Sequence, residues 1–112
     1  MKAKRILVVG VCTAGKSTLV RALRERGHQA YSVAQEHSSV PGLWRLRKPD
    51  HVVYLDVNYD AAKRRRRIFW DDDRLRLQRE RLRDVRTHAH LVIDTSHLTC
   101  EQVLDMVLST LT

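Results

Sequence analysis

Apolar runs along the chain predict the strands of a parallel sheet. Residues 6–9 form an unbroken aliphatic run, the pattern of a strand that is buried on both faces. A weaker alternation over residues 29–34 predicts a second strand, residues 51–57 a clear third and residues 91–94 a fourth. Apolar residues at helical spacing lie between and after these runs. The predicted order is therefore β-α-β-(α)-β-α-α-β-α, which indicates a parallel sheet wrapped by helices.

Polar residues and glycine mark where the predicted helices begin and end. Gly27 ends the first helix, and Asn58 caps the helix that follows the third strand. Asp71 caps a long helix, and Thr99 forms a capping box with Gln102 at the start of the last one. The Asp71 helix carries a narrow apolar stripe: Leu75, Leu82, Val85 and Ala89. A hydrophobic staple between Trp70 and Leu75 is also expected there.

Length and composition narrow the class of protein and of ligand. The 112 residues predict one domain, residues 1–112. With 21 Lys and Arg against 13 Asp and Glu, the net charge of +8 favours polyanionic ligands such as nucleotides, phosphorylated substrates or nucleic acid. Two cysteines do not form a disulfide framework, and no apolar run approaches the ~20 residues of a membrane span. We therefore expect a cytoplasmic protein without membrane contact.

The segment between the first predicted strand and the first helix carries a phosphate-binding motif. Residues 10–17 read GVCTAGKS and fit G-x-x-x-x-G-K-[ST], here called the phosphate loop. Gly10 and Gly15 allow the backbone to curl so that its amides surround phosphate oxygens. Lys16 is expected to contact the β- and γ-phosphates and Ser17 to bind Mg²⁺. The predicted nucleotide-binding residues are Gly10, Val11, Cys12, Thr13, Ala14, Gly15, Lys16, Ser17 and Thr18.

Other interpretations of these residues are weaker. A Cys-x₅-Arg phosphatase motif starting at Cys12 would need arginine at position 18, where the chain has threonine. No guanine-reading Asn-Lys-x-Asp motif of regulatory GTPases occurs. A glycine-rich turn without a ligand remains the alternative, but the flanking strand and helix favour phosphate binding. The histidines at positions 88, 90 and 97 lack the spacing of a zinc site and are expected to be loop residues.

The sequence resembles the P-loop nucleoside and nucleotide kinases in three segments that cover about half of the chain. The first is the phosphate loop. Residues 49–57 and the Arg-rich helix after them resemble the strand that enters the kinases' lid, and residues 91–96 with the capped helix resemble their final strand and helix. The resemblance implies a three-layer P-loop NTPase-like fold with a small parallel sheet of about four strands, and ATP and Mg²⁺ as cofactors.

The resemblance also implies roles for individual residues. Lys16 would stabilise the phosphates, and Glu36, after the second strand, would act as catalytic base or position Mg²⁺ together with Ser17. Arg64 and Arg67 would clamp the transferring phosphoryl group as lid arginines. An ordinary loop glutamate and a solvated or polyanion-binding arginine run are the competing interpretations, and Asp56 competes with Glu36 as the metal-side acid.

The chain departs from the kinase pattern between the second strand and Asp50. Only about a dozen residues lie there, where typical kinases have a substrate-binding helical insert and another strand that ends in a Mg²⁺-orienting aspartate. The favoured function is a small kinase that transfers the γ-phosphoryl group of ATP to a nucleoside, nucleotide or other small acceptor. The alternatives are a non-catalytic module that binds nucleotides or nucleic acid, and a simple NTPase.

Overall fold

Four parallel strands form the centre of the structure, a computed structural model that describes residues 4–65 and 71–111. They are β1 (Arg5–Gly10), β2 (Gln29–Ser32), β3 (His51–Asp56) and β4 (Leu91–Asp94). Their order in the sheet is β2-β1-β3-β4, and each neighbouring pair is parallel. All four strands therefore end at one edge of the sheet, the edge at which open α/β proteins bind ligands.

Helices cover the sheet and complete a three-layer α/β fold, as the sequence predicted. They are α1 (Lys16–Glu25), α2 (Tyr59–Arg65), α3 (Asp72–Arg81), α4 (Arg83–His88) and α5 (Cys100–Thr110). Helix α1 packs against β1, β2 and α5, whereas α4 packs against β3 and α3. Among the described residues, none of the helices has the length and apolar character that crossing a membrane requires.

The core is built on β1 and β3, because these central strands are covered on both faces. Residues 6–9 of β1 are fully buried, and so are Val53 and Leu55 of β3. At the end of β1, Gly10 pairs in register with Leu55. The unbroken aliphatic run in the sequence thus corresponds to the most deeply buried strand.

The predicted helix caps are confirmed where the structure describes them. The Asn58 side chain accepts from the Ala61 N–H at 2.8 Å, and Asp71 accepts from the Arg74 N–H at 3.3 Å. Thr99 and Gln102 form the reciprocal capping box, with distances of 3.1 and 2.8 Å. The proposed partner of Leu75 in a hydrophobic staple, Trp70, lies outside the described residues.

The helix after Asp71 differs from its prediction, and the segment between β2 and β3 is as short as predicted. The single helix predicted after Asp71 is two helices, α3 and α4, because the chain tightens at Leu82, whose N–H is shared between the carbonyls of Gln78 and Arg79. Between β2 and β3, residues 33–50 form only two 3₁₀ turns, Gln35–His37 and Leu43–Arg45. No strand lies between β2 and β1 in this region, so the shortened segment expected from the sequence is confirmed.

Candidate functional site

The phosphate loop joins β1 to α1 at the ligand-binding edge of the sheet. Thr13 and Gly15 have φ angles of +68° and +102°, so the backbone has positive φ at two positions within three residues, which makes the loop a tight turn. Gly15 is the N-cap of α1 and provides no side-chain cap. The amides of the first turn therefore have neither an intrahelical acceptor nor a cap, and they lie at the positive end of the helix dipole. This arrangement suits an anion.

Other amides of the loop hold its shape. The Val11 N–H donates to the Leu55 carbonyl at 3.3 Å, and the Ala14 N–H donates to the Val11 carbonyl at 3.3 Å. The Cys12 N–H donates at 2.8 Å to Oε1 of Gln78, a residue of α3. The loop is thus hydrogen-bonded to β3 and to α3, and the N–H groups in the first turn of α1 stay available for a ligand.

Lys16 and Glu36 form an ion pair beside the loop. Lys16 Nζ lies 2.8 Å from Glu36 Oε2 and donates to the carbonyls of Gly10 and Val11 at 2.8 and 3.0 Å. These three acceptors match the three N–H donors of an ammonium group. Glu36 lies in the turn Gln35–His37, is only 4 % exposed, and its Oε1 has no hydrogen-bond partner among the described residues. All three N–H donors of the lysine therefore have acceptors, whereas one oxygen of the carboxylate has no hydrogen-bond partner in the described part of the chain.

A cavity of about 580 Å³ opens at this pair. Its polar lining comes mainly from residues 12–18 together with Glu36, Arg65, Thr95, Thr99 and the exposed Cys100. Its apolar lining comes from four residues on or next to α1 and α5: Leu19, Ala22, Leu98 and Val103. A volume of this size and a mixed lining are typical of small-molecule sites, which commonly measure about 300–1,000 Å³. All predicted nucleotide-binding residues from Cys12 to Thr18 line the cavity, whereas Gly10 and Val11 do not.

Within the part of the basic run that the structure describes, Arg65 reaches the phosphate loop. Its guanidinium donates to the Thr13 carbonyl at 3.0 Å, to Thr95 Oγ1 at 2.8 Å and to the Thr95 carbonyl. Arg64 is exposed on α2 and does not line the cavity, and Arg67 lies outside the described residues. The lid roles of Arg64 and Arg67 therefore stay predictions.

Asp56 is occupied by structural contacts. Its Oδ1 accepts from the Val57 N–H at 2.9 Å and lies 3.2 Å from Arg79 Nε. Arg79 also donates to the Val57 carbonyl at 2.9 Å, and Asp56 does not line the cavity. These contacts support the interpretation in which Asp56 orients the chain and Glu36 is the acid beside the loop.

Two titratable groups near this edge have shifted pKa values. Hydrogen bonds from the Ser96 hydroxyl and then from the Ser96 N–H hold the pKa of Asp94 below its ordinary value. Ser96 Oγ in turn accepts from the Asn58 N–H at 2.9 Å. Burial, and to a smaller extent the Asp56 carboxylate, raises the pKa of Tyr54 to about 12, so this phenol stays protonated at neutral pH. Asp94 thus connects the end of β4 to the start of α2.

Sequence reasoning missed Gln78, although its position carried a signal. Gln78 follows Leu75 by three residues and precedes Leu82 by four, so it interrupts the apolar stripe with an amide. It is 2 % exposed, and its Nε2 donates to Cys12 Sγ at 3.3 Å. A polar residue on a buried helix face requires a partner, and here the partner is the phosphate loop.

The residues at the cavity fit a magnesium ion. Ser17 lines the cavity and offers a hydroxyl, and the buried Glu36 Oε1 is an oxygen without a partner among the described residues. Oxygen donors of this kind, completed by phosphate oxygens and water, are the ligands that Mg²⁺ prefers. Ser17 and Glu36 are thus the residues that could hold it.

Comparison with known proteins supports the fold. No protein-family model matches the chain, and no curated protein matches its sequence. Among solved structures, the chain is similar to a shikimate kinase from Bacteroides thetaiotaomicron, with a TM-score of 0.61 and 17 % sequence identity, covering 96 % of this chain and 98 % of that one. At this identity the similarity concerns the fold alone. The chain therefore has a P-loop kinase-like fold.

Proposed function

We propose that the protein is a small ATP-dependent phosphotransferase, acting as one domain in the cytoplasm, that moves the γ-phosphoryl group to a small acceptor with a hydroxyl or phosphate group. The observation that carries the proposal is the uncapped first turn of α1, which opens into the cavity where Lys16 contacts Glu36. An anion-binding turn, a cation and a buried carboxylate are the groups that phosphoryl transfer needs in one place.

The triphosphate would occupy the polar part of the cavity. The free amides of the first turn of α1 would bind its oxygens, and the Lys16 ammonium would move from Glu36 to the phosphates. The sugar and base would contact the apolar lining that includes Leu98 and Val103. ATP is therefore bound by charge at one end and by apolar burial at the other.

Glu36 would then act on the acceptor. Once Lys16 turns to the phosphates, the Glu36 carboxylate loses its ion pair and can accept the proton of an acceptor hydroxyl as that oxygen attacks phosphorus. Mg²⁺, bound with the nucleotide by Ser17, would supply charge neutralisation on the phosphates; in its alternative role Glu36 would help to position this ion instead of acting as the base. Proton acceptance at Glu36 is thus available only after the nucleotide has drawn Lys16 away.

Calorimetry of ATP binding tests the proposal directly. We expect Mg²⁺-dependent ATP binding, and we expect Lys16→Met to weaken it by about 10- to 100-fold, because a charged hydrogen bond contributes about 1.5–3 kcal/mol. Lys48→Met removes an exposed lysine that does not line the cavity and should leave the affinity unchanged. Urea unfolding of both variants shows whether the Lys16→Met protein is folded. Absence of binding by the unaltered protein at millimolar ATP overturns the proposed function.

A second function, binding of nucleic acid without turnover, is favoured by one surface. Four arginines, at positions 76, 79, 83 and 86, and two acids, Asp56 and Glu80, line a groove of about 590 Å³ on α3 and α4, next to β3. Together with the net charge of +8, this surface suits a polyanion.

Substituting both Arg64 and Arg67 with alanine distinguishes the two functions. For the kinase we expect acceptor-dependent ADP formation to fall by about 10-fold or more, because lid arginines stabilise the transition state, while affinity for RNA stays unchanged. For the polyanion-binding module, acceptor-dependent ADP formation is absent, and RNA affinity falls with a shallower salt dependence when Arg83 and Arg86 of the groove are replaced by alanine instead. ADP formation is measured with a panel of nucleosides, nucleotides and small phosphorylated metabolites.

A further inference from the structure

A sulphur, an imidazole and a carboxylate meet at the side of the phosphate loop that faces the turn Gln35–His37. Cys12 Sγ lies 3.5 Å from His37 Nε2, and that nitrogen lies 3.9 Å from Glu36 Oε2. One ligand atom from each of the three residues lies within 4.8 Å of the others. In the described part of the chain, this is the group of histidine, cysteine and acidic side chains close enough to hold a metal ion.

The distances fit tetrahedral coordination of a soft divalent cation. Zinc binds sulphur at about 2.3 Å and imidazole nitrogen at about 2.0–2.1 Å, so two such ligands at a tetrahedral angle lie about 3.5 Å apart. The observed distance between Cys12 Sγ and His37 Nε2 equals this value. The longer distance to the carboxylate can close by rotation of His37, because 57 % of its side chain is exposed.

Two further observations point to a ligand at this position. The carboxylate oxygen near His37 is Oε2, which also binds Lys16, while Oε1 of the same side chain, only 4 % exposed, is buried without a partner among the described residues. In addition, the amide of the buried Gln78 donates to Cys12 Sγ at 3.3 Å. Hydrogen bonds of this kind from a neighbouring group commonly orient and stabilise a metal-bound thiolate.

We propose that Cys12, His37 and Glu36 form a site for a thiophilic divalent cation of the zinc type. The Cys12 thiol releases its proton on binding, the His37 imidazole binds in its neutral form, and Glu36 provides one oxygen. The fourth tetrahedral position is left for water. This site shares Glu36 with the magnesium ligands described above but differs from them in its sulphur and imidazole ligands, which Mg²⁺ does not bind well. The cation would connect the phosphate loop to the end of β2.

Cobalt is the probe for this site, since Co²⁺ replaces zinc and reports its ligands by absorption. We expect one equivalent of Co²⁺ to give a sulphur-to-cobalt charge-transfer band in the near ultraviolet and intense visible bands of tetrahedral geometry, both removed by added Zn²⁺. Cys12→Ser should abolish the charge-transfer band, and His37→Asn should weaken binding about 10-fold or more. Cys100→Ser is the matched control, because Cys100 is the other cysteine and is exposed.

A second measurement keeps the site residues unaltered. In the Cys100→Ser protein Cys12 is the sole thiol, and its rate of alkylation should fall at least several-fold when Zn²⁺ is added and recover with a chelator. The proposal is overturned if Co²⁺ gives no charge-transfer band, if the band survives in Cys12→Ser, or if it disappears in Cys100→Ser. Unchanged alkylation of Cys12 in the presence of Zn²⁺ overturns it as well.

Discussion

Substituting Gly10 with alanine is expected to lower the free energy of unfolding by about 3–5 kcal/mol, the combined cost of backbone strain and overpacking. A Cβ atom at this position would lie 2.1 Å from the Leu55 carbonyl oxygen and 2.9 Å from its carbonyl carbon. Gly10 also has a φ of +155°, which side chains rarely tolerate. Leu55 cannot move away, because it is fully buried in β3 and its carbonyl accepts the Val11 N–H.

Urea unfolding measures this loss, and Gly42→Ala is its control. Gly42 has a φ of −95°, and no heavy atom lies within 4 Å of a Cβ built there. Its substitution is expected to leave stability unchanged or to raise it by up to about 1 kcal/mol, because alanine restricts the unfolded chain. If Gly10→Ala costs less than Gly27→Ala, where φ is +86° but the space is open, the contact with Leu55 is not the cause.

The requirement for glycine at position 10 thus has two sources. The sequence motif explains it by the curl of the phosphate loop, which is a local property. The structure adds a tertiary cause, the close approach of β1 and β3 at the pair Gly10 and Leu55. A variant at position 10 is therefore expected to affect the sheet as well as any bound phosphate.

Features that depend on neighbouring residues could be predicted from the sequence. The caps at Asn58, Asp71 and Thr99 each need a side-chain oxygen and an amide two or three residues later, so sequence spacing determines them. The buried strand at residues 6–9 was equally clear, since an unbroken aliphatic run can be stable only when both faces are covered. The phosphate loop followed from its position between that strand and α1.

Features that depend on distant residues could not be predicted. The contact between Cys12 and Gln78 spans 66 positions, and the contact between Thr13 and Arg65 spans 52. Which arginine of a basic run turns inward depends on the exact rotation of α2 against the sheet, and a difference of one residue rotates the side chain by about 100°. The sequence therefore indicated a helix rich in arginine without singling out Arg65.

The shortened segment between β2 and β3 has a consequence for the candidate site. Because β2 pairs directly with β1, the residues that follow these two parallel strands emerge side by side at the same edge of the sheet. Lys16 follows β1 and Glu36 follows β2, and their side chains meet at 2.8 Å. A strand inserted between β1 and β2 would separate them by about 5 Å more. The direct pairing thus gives the chain an acid beside its phosphate loop without the additional strand of typical kinases.

Glu36→Gln is expected to reduce acceptor-dependent ADP formation by about 100- to 10,000-fold, the usual contribution of a general base. The same change should leave ATP affinity unchanged or raise it a few-fold. Glutamine is neutral, so it holds the Lys16 ammonium less strongly than the carboxylate does, and it removes a negative charge near the phosphates. Calorimetry with ATP and Mg²⁺ measures the affinity, and release of ADP with the acceptor panel measures turnover.

Glu25→Gln provides the matched control, because Glu25 is exposed at the end of α1 and does not line the cavity. It should change neither affinity nor turnover. Full turnover in Glu36→Gln would show that Glu36 is not the base. The ion pair with Lys16 would then be its remaining role. Loss of ATP affinity together with unchanged turnover per bound nucleotide would show instead that the carboxylate is needed to hold the nucleotide and its metal. The two measurements separate these roles because the ion pair with Lys16 opposes nucleotide binding, whereas a base acts only after the nucleotide is bound.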